Sequence, residues 1–374
     1  MLDLSSAFDT VDHTILSYRL AHDFGLKDNV LSWFQTYLSN RSNRTYVNGS
    51  FSTSQQQKFG IPQGSIIGPQ LFTYYIRNIG HILTQHSIKH HIYADDIQMY
   101  TIFDPTRPGD DACSYFRLSK CFDEIQSWLI HNKLKLNSGK TEFFVASSAY
   151  QYCRLSNYTF HIGDEQIALS PTIRNLGVVL DSELKMSDHV NNLCRSLNWR
   201  IYNLSRIRGF LDEDICHNVV RALVLSRLDY GGCLLGCITK QNLDKLQRLQ
   251  NRCARLIFQK SKWSHATPLL NELHWLPVHE RIQYRILVQT FQTISSTLPQ
   301  YISSLLQPQR TSYSLRSASA PTFVVPRSHK QAGFNSFQSL APRLWNRLPS
   351  SLRNSKTLTS FKSNLKTYLY PSYP

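Results

Sequence analysis

The sequence predicts an α+β fold, and three features of its 374 residues indicate this class. Hydrophobic residues make up 41% of the chain, which favours packed cores over disorder. Strand-forming residues surround two turn signals in the first half, Asn48-Gly49 and Ala94-Asp95-Asp96. After about residue 187 the apolar residues return at helical spacing instead. A chain of this length is enough for two or three domains, each with its own core.

Short strands and amphipathic helices alternate in the first 150 residues. Leu2–Leu4 is predicted to end a short strand, and Asp9 or Thr10 to cap the helix that follows over 10–25. Alternating strand formers around Asn48-Gly49 predict a hairpin with a type I′ turn over 45–51. Further elements are predicted as helices over 29–38, 66–83 and 112–131, a second hairpin over 91–101, and a strand over 141–146.

The second half is predicted to be mainly helical. Its apolar stripes, interleaved with arginines, predict helices over 187–208, 213–228 and 240–259. Residues 303–340 are rich in Ser, Pro and Gln, which is typical of a linker or an extended arm. A short helix is predicted over 358–369. These changes along the chain predict a domain boundary near residue 185.

Positive charge is concentrated in the second half of the chain. The whole sequence has 41 Lys and Arg against 25 Asp and Glu, a net charge of +16. Residues 1–190 hold 16 basic and 18 acidic side chains, whereas residues 191–374 hold 25 basic and 7 acidic ones, a net charge of +18. Such a field indicates a polyanionic partner, either nucleic acid or an acidic membrane. Since no basic helix has a clean apolar face, nucleic acid is favoured and no membrane partner is expected.

Secreted and membrane proteins do not fit the sequence. The most apolar run, around 223–238, is broken by Arg227 and Asp229, so no membrane span is predicted. No secretory signal is predicted, because the N-terminus lacks a basic region followed by an apolar stretch. We therefore expect an intracellular protein, nuclear or cytoplasmic. Its eight cysteines are expected to be reduced thiols, with a zinc site at Cys233 and Cys237 as the alternative.

Three carboxylates are the strongest candidates for chemistry. Asp3 ends an apolar strand, and Asp95 and Asp96 lie at the tip of a predicted hairpin. If they converge, they would suit two Mg²⁺ ions, or Mn²⁺, because hard cations prefer carboxylate oxygens. Neighbouring side chains of an ideal strand point to opposite faces, so we assign the larger metal role to Asp95, placed in the turn. The alternative is that Ala94-Asp95-Asp96 is only a polar turn.

Five short sequence blocks between residues 2 and 181 are considered together because of their order along the chain. They are Leu2–His13, Gly60–Ser65, Tyr93–Asp96, Leu136–Glu142 and Leu176–Asp181. Together they resemble the catalytic blocks of the reverse transcriptases of non-LTR retrotransposons (long interspersed elements), most closely the jockey-like group. Three later segments resemble that family's C-terminal region, namely KLQRLQNRCARLIF, LHWLPVHERI and APRLWNRLP. The resemblance thus extends over nearly the whole chain.

The resemblance implies the fold of a right-hand polymerase. Residues 1–185 would form the palm, a small antiparallel sheet packed on helices. Residues 186–300 would form a basic, helical thumb and connection, and residues 301–374 a Ser/Pro-rich linker with a C-terminal segment. Because the first catalytic block starts at Leu2, we expect a partial chain in which the fingers are largely absent.

The resemblance also implies roles for individual residues. Asp3, Asp95 and Asp96 would be the catalytic, metal-binding carboxylates, with the Leu4 carbonyl as a further ligand, and two ions would activate a primer 3′-hydroxyl and neutralise the leaving pyrophosphate. The incoming nucleotide would be contacted by Phe8, Gln63, Gly64 and Lys140. Primer and template would be contacted by Gly177, Arg195, Arg200, Arg206 and Arg208. Phe8 in this position would exclude a ribose 2′-hydroxyl.

The implied activity is RNA-directed DNA synthesis, with an RNA template, a DNA primer and dNTPs as partners. Some of these residues have simpler explanations, since Phe8 would also suit a core, Gly64 a helix-entry turn, and Lys140 a solvated strand end. The alternative function is a catalytically inactive nucleic-acid-binding remnant that uses the basic second half. A two-metal hydrolase of another type fits less well, because it explains neither Gln63 nor the block at Gly177.

Overall fold

The computed structural model describes residues 1–155, 157–295, 297–309, 322–328 and 330–370. The chain divides into two compact units, Met1–Ile173 and Arg174–Pro374. Part of the predicted linker and the last four residues of the C-terminal segment lie outside the described residues.

The first unit combines short strands with five helices among its described residues. Its strands are β1 (Leu4–Ser5), β2 (Ser42–Asn43), β3 (Tyr46–Val47), β4 (Ser50–Phe51), β5 (Gln55–Gln56), β6 (Lys89–Tyr93), β7 (Asp96–Tyr100), β8 (Lys135–Leu136), β9 (Phe143–Phe144), β10 (Phe160–Ile162), β11 (Glu165–Ile167) and β12 (Leu169–Ser170). Its helices are α1 (His13–His22), α2 (Asp28–Leu38), α3 (Gly68–Gln85), α4 (Asp110–His131) and α5 (Ala149–Leu155). A hairpin of β13 (Thr172–Asn175) and β14 (Val178–Asp181) follows.

Antiparallel pairing links the N-terminal segment to two distant parts of the first unit. Leu2 exchanges two backbone hydrogen bonds with Ile97 of β7, at 2.8 and 3.2 Å. On its other side, β1 pairs with β8 in the register Leu4 to Leu136. β7 is also the second strand of the β6–β7 hairpin. The order β6, β7, N-terminal segment, β8 therefore puts the first residues at the centre of a small antiparallel arrangement.

Helix α3 packs against both α1 and α4, and the three helices bury apolar residues of this unit. α3 starts with Pro69 in its first turn, and the residues it buries recur at helical spacing, as Leu71, Phe72, Tyr75, Ile76, Ile79 and Leu83. Arg19 of α1 is buried in the same core, where its guanidinium donates to the Tyr75 carbonyl and to the Asn132 side chain. Burial lowers the pKa of Arg19 from its usual value.

The local predictions for the first unit agree with several elements. The hairpin at Asn48-Gly49 is present, and both residues have the positive φ that a type I′ turn requires, at 48° and 83°. The helix predicted over 10–25 is shorter, and its cap was predicted wrongly. Asp12 is the N-cap, because its Oδ1 accepts hydrogen bonds from the backbone N–H groups of Thr14 and Ile15.

The second unit is helical in its described part. Its helices are α6 (Ser187–Ile207), α7 (Glu213–Val220), α8 (Ser226–Asp229), α9 (Lys240–Ile257), α10 (Ala266–Glu272), α11 (Val278–Ile294), α12 (Gln300–Ser303), α13 (Gln331–Phe334), α14 (Phe337–Asn346), α15 (Ser350–Arg353) and α16 (Leu358–Leu369). A π-helical turn at Arg221–Leu225 joins α7 to α8. The predicted helix over 358–369 is confirmed at both ends, whereas α10, α11 and α14 were not predicted.

One hydrophobic core holds these helices together. α6 packs on α9, and α11 packs on α14 and α16. Trp345 and Phe361, both fully buried, contact each other with their ring centroids 5.6 Å apart. α14 and α16 therefore belong to the packed unit, although the sequence predicted an extended linker up to residue 340. None of the helices in the described part is long and apolar enough to cross a membrane.

Candidate active site

The pairing of Leu2 with Ile97 determines where the predicted catalytic carboxylates lie. Because the two segments are antiparallel, Asp3 comes opposite Asp96, the first residue of β7. Asp95 lies one residue earlier, in the two-residue turn that closes the β6–β7 hairpin. Ala94, the other turn residue, has a φ of 52°, which relaxes the strand alternation at this point. The fold thus brings the three predicted carboxylates to the same end of β7.

Electrostatics show that these carboxylates influence one another. Burial raises the pKa of Asp96 above its usual value, and the negative charges of Asp95 and Asp3 raise it further. Oδ2 of Asp3 is buried and has no hydrogen-bond partner. The nearest cation is Lys140, whose Nζ lies 3.9 Å from that oxygen while most of its side chain is exposed. The site therefore concentrates negative charge that one lysine offsets only weakly.

The Leu4 carbonyl is oriented to the same side. Backbone hydrogen bonds alternate in direction along an extended strand. Leu2 bonds toward β7, whereas the Asp3 carbonyl accepts from the Asn137 N–H at 2.9 Å on the side of β8. The next carbonyl, that of Leu4, consequently faces β7 and the turn that carries Asp95.

A divalent cation suits this group of atoms chemically. A buried carboxylate oxygen without a donor and a neighbouring acid with a raised pKa are both stabilised by a hard cation. In the described part of the chain, no three His, Cys, Asp or Glu side chains stand in ligating positions, and this holds at the carboxylates and at Cys233 and Cys237. The residues present fit a cation by their chemistry, without a preformed ligand shell.

The Gly60–Ser65 block is fastened to the segment that follows Asp3. The Gly60 N–H donates to the Val11 carbonyl at 2.8 Å, and the Ile61 N–H donates to the Phe8 carbonyl at 2.7 Å. Gly60 has a φ of 89°, and a Cβ added there would lie 2.8 Å from the Asp9 carbonyl oxygen. Only glycine allows this approach of two backbones. The first and second sequence blocks therefore form one rigid substructure.

Gln63 lies in a cleft of about 400 Å³ beside this substructure. Its Nε2 donates to Oδ1 of Asp9 at 2.9 Å, which orients the side-chain amide. Arg41 also lines the cleft, and its guanidinium lies over the Tyr37 ring. Arg41 was not among the residues predicted from the sequence, where nothing in the local pattern distinguishes it from the nearby Arg44. The cleft thus offers an oriented amide and a cation on the surface of the first unit.

Phe8 and Gly64 differ in burial and in the atoms around them. The half-buried Phe8 ring packs on Phe72 of α3, with ring centroids 4.8 Å apart. Gly64 is exposed, has a φ of 82°, and has no neighbouring atom within 4 Å of an added Cβ. Phe8 therefore has a packing role in addition to any role toward a substrate, and Gly64 is a turn residue with open space around it.

Gly177 lies in the turn of the β13–β14 hairpin. Leu176 and Gly177 both have positive φ, at 44° and 84°. Within the second unit, the Tyr230 hydroxyl donates to the Leu176 carbonyl at 2.5 Å, and its ring would be the first contact of a Cβ at Gly177. Tyr230 therefore stabilises this turn through its hydroxyl and its ring.

The four arginines predicted to contact nucleic acid differ in their burial. Arg195 and Arg206 are exposed on α6. Arg200 is half-buried, and its Nε is buried without a partner. Arg208 is buried, and it donates to the carbonyls of Leu211, Leu256 and Ile257. We do not propose Arg208 as a nucleic-acid contact, because its guanidinium already donates to these three carbonyls and stabilises the end of α9.

Two aromatic residues complete the exposed face of α6. At 3.6 residues per turn, Arg195, Trp199, Tyr202 and Arg206 lie in one row along this helix. Trp199 is 64% exposed and Tyr202 is 58% exposed. Only the arginines of this row were predicted from the sequence, although the i, i+4, i+7, i+11 spacing was a usable signal. The row combines cations with rings on which a base can stack.

Comparison with known proteins gives one family. Residues 1–180 match the family described as reverse transcriptase (RNA-dependent DNA polymerase). The RNA-directed DNA polymerase from mobile element jockey of Drosophila funebris is 24% identical over 264 residues, which cover 68% of this chain and 28% of that protein. Two probable RNA-directed DNA polymerases of Drosophila melanogaster, from transposon X-element and transposon BS, are 24% and 25% identical over 75% of this chain. The chain spans about 30% of the length of these relatives.

Proposed function

We propose that this chain forms the palm and thumb of an RNA-directed DNA polymerase, because residues 1–180 match the reverse transcriptase family and the chain is similar to the polymerases of mobile element jockey and transposon X-element. In this proposal residues 1–185 are the palm, residues 186–300 the thumb and connection, and residues 301–374 a linker with a C-terminal segment, of which α14 and α16 pack on α11. The observation that carries it is the antiparallel pairing of Leu2 with Ile97, which brings Asp3 beside Asp95 and Asp96.

Asp3, Asp95 and Asp96 would hold Mg²⁺ or Mn²⁺, with the Leu4 carbonyl as a further ligand. When bound, two such ions lower the pKa of a primer 3′-hydroxyl and neutralise the charge of the departing pyrophosphate. Lys140 would supply a cation on the pyrophosphate side or act as the general acid, and its position 3.9 Å from Asp3 supports a place at the site. The support for this assignment is the negative charge at Asp3 and Asp96, which Lys140 offsets only weakly.

Phe8, Gln63 and Gly64 would contact the incoming dNTP. The Gln63 amide can donate and accept, and the exposed Gly64 turn leaves room for a substrate. Phe8 would exclude a ribose 2′-hydroxyl by its bulk. A Phe8→Ala variant tests this, because relaxed discrimination between dNTP and rNTP is expected. An equal loss for both nucleotides would contradict the gate and leave only the packing on Phe72.

Primer and RNA template would be held by the basic second half. The candidates are the turn at Gly177 and the exposed α6 residues Arg195 and Arg206, with Arg200 at the border of that face. The net charge of +18 over residues 191–374 supports this proposal, because Lys and Arg contacts to phosphates dominate the affinity of nucleic-acid complexes.

Primer extension on poly(rA)–oligo(dT) with Mg²⁺ tests the proposal on the full chain. We expect incorporation by the wild type and a loss of at least about 100-fold in Asp95→Asn, since charge stabilisation by metal is removed. RNA binding in the absence of nucleotide should be unchanged. Asp23→Asn, an exposed acid of the same unit, is the matched control and should retain activity.

The second candidate function is nucleic-acid binding without catalysis. It is favoured by one observation, the net charge of +18 over residues 191–374, which nucleic-acid binding explains without any catalysis. RNA binding with no incorporation, in the wild type as in Asp95→Asn, and with either Mg²⁺ or Mn²⁺, would support this candidate against the polymerase.

A further inference from the structure

A basic cleft lies within the second unit, separate from the carboxylates and from the exposed face of α6. It has a volume of about 1060 Å³, and it is lined by the π-helical turn with α8 on one side and by α11 on another. Lys366 of α16 also lines it. None of the sequence blocks assigned above explains this cleft, although the LHWLPVHERI segment supplies part of its lining.

Positive charge dominates the lining. The lining contains one carboxylate, Asp229, and four basic side chains, Arg221, Arg281, Arg285 and Lys366. Oδ1 of Asp229 accepts from Nε of Arg281 at 2.5 Å, and Oδ2 lies 2.7 Å from Nη2 of Arg281 and 2.6 Å from Nη2 of Arg285. Among the described residues of the lining, the single acid, Asp229, is thus already shared by two arginines.

Asp229 also positions the arginines. Asp229 and Arg281 are largely buried, with side chains 16% and 21% exposed, so their two-point contact holds the guanidinium in one orientation. Each guanidinium has five N–H donors, so Arg281 and Arg285 keep donors beyond those that Asp229 occupies. Arg221 and Lys366 are exposed and add mobile positive charge at the edge of the cleft.

Two further features indicate a ligand site. Arg221 begins the π-helical turn, a widened turn that costs regular hydrogen bonding and is frequent at functional sites. The aromatic side chains of Tyr230 and Tyr284 line the same cleft. Tyr230 also donates to the Leu176 carbonyl, so one wall of the cleft is linked to the turn that contains Gly177.

We propose that this cleft binds phosphate groups of a single nucleic-acid strand, with Arg281 and Arg285 as the fixed donors and Arg221 and Lys366 as the outer ones. Phosphate oxyanions match a fork of arginines, and the aromatic lining suits the bases next to them. Charge favours the same ligand, because residues 281–374 contain 12 Lys and Arg and no Asp or Glu. The site goes beyond the polymerase chemistry and does not depend on it.

Binding of a labelled 20-nucleotide RNA to the full chain, without Mg²⁺ or dNTPs, tests the proposal. The variant is Arg221→Gln with Lys366→Gln, and the control is Arg227→Gln with Lys362→Gln, which removes the same charge from the same part of the fold outside the cleft lining. We expect the cleft variant to bind about tenfold more weakly and its slope of log K against log salt to shrink by about 1.4, at about 0.7 per lost single-strand contact. The control should keep the wild-type slope.

Equal losses in both double variants would overturn the proposal, since they would report net charge rather than a site. Competition with a nucleoside triphosphate distinguishes two sources of phosphate. Displacement of RNA from the wild type but not from the cleft variant would assign the phosphate site to a free nucleotide, and lack of displacement would assign it to the strand backbone. Because the assay contains no catalytic metal, an inactive polymerase would not change its outcome.

Discussion

Nζ of Lys140 lies 3.9 Å from Oδ2 of Asp3, and that carboxylate oxygen has no hydrogen-bond donor although it is buried. The two residues belong to the first and fourth sequence blocks, and they are neighbours because the Asn137 N–H bonds to the Asp3 carbonyl. An ion pair at this distance, with the lysine mostly exposed, compensates little of the charge on a buried carboxylate. The site is therefore an electrostatically strained part of the first unit.

Removal of one acid from this site should stabilise the fold in the absence of metal. We expect Asp96→Asn to raise the Tm, because burial and the charges of Asp95 and Asp3 raise the pKa of Asp96 and so disfavour its ionised form. Millimolar Mg²⁺ should raise the Tm of the wild type more than that of the variant. A variant less stable than the wild type, with an equal response to Mg²⁺, would contradict this account of the carboxylates.

The close approach of the first two sequence blocks can be tested at glycine. Gly60→Ala should lower the free energy of unfolding by about 2–4 kcal/mol, because the new Cβ would meet the Asp9 carbonyl at 2.8 Å and the φ is positive. Gly64→Ala is the matched control, since its φ is also positive but its Cβ would meet no atom within 4 Å. It should cost only about 1 kcal/mol. Equal costs in urea unfolding would show that the backbone contact contributes nothing.

Aromatic and basic residues of α6 should affect RNA binding in different ways. Trp199→Ala with Tyr202→Ala should weaken binding of single-stranded RNA by about 1–3 kcal/mol per stacked base and leave the salt slope unchanged. Arg195→Gln with Arg206→Gln should reduce the slope by about 1.4. The control is Trp263→Ala, an exposed tryptophan elsewhere in the unit. If the aromatic pair had no more effect than this control, the exposed face of α6 would not be a stacking surface.

Arg208 should behave as a structural residue. Arg208→Gln is expected to lower the free energy of unfolding by about 2–4 kcal/mol, because the carbonyls of Leu211, Leu256 and Ile257 would lose their donor. Arg206→Gln, its exposed neighbour on the chain, should change stability by less than about 0.5 kcal/mol. The salt slope of RNA binding should change in Arg206→Gln only. A reduced slope in Arg208→Gln at unchanged stability would restore Arg208 as a phosphate contact.

The second unit should lose stability in mild acid through His189. This side chain is buried near the start of α6, its Nδ1 accepts from the Val179 N–H at 3.4 Å, and burial lowers its pKa from 6.5. The folded state then binds a proton less readily than the unfolded state, so stability falls as the pH drops below about 6.5, by at most ~1.4 kcal/mol per pH unit. His189→Gln should lack this part of the pH dependence in urea titrations from pH 7.5 to 5. An identical pH profile would exclude His189 as its source.

Local chemistry in the sequence determined several elements of this protein. Asn48-Gly49 predicted a type I′ hairpin because these residues adopt positive φ at little cost, and the apolar spacing after residue 357 predicted α16 at its observed ends. The order of the sequence blocks also selected the three carboxylates and indicated the family. The hairpin and α16 depend on neighbours within one turn of helix or one hairpin, so the sequence alone contains them, whereas the carboxylates were selected through the resemblance of blocks that are far apart in the chain.

Only the tertiary structure decided which distant groups meet. Leu2 pairs with Ile97, Lys140 lies beside Asp3, and Arg208 donates to carbonyls 48 and 49 positions away. The sequence could not distinguish Arg208 from the exposed Arg206, because burial depends on how α6 packs on α9. The cleft around Asp229 was unpredicted for the same reason. Such contacts follow from the free energy of packing the whole core, to which residues from many segments contribute at once.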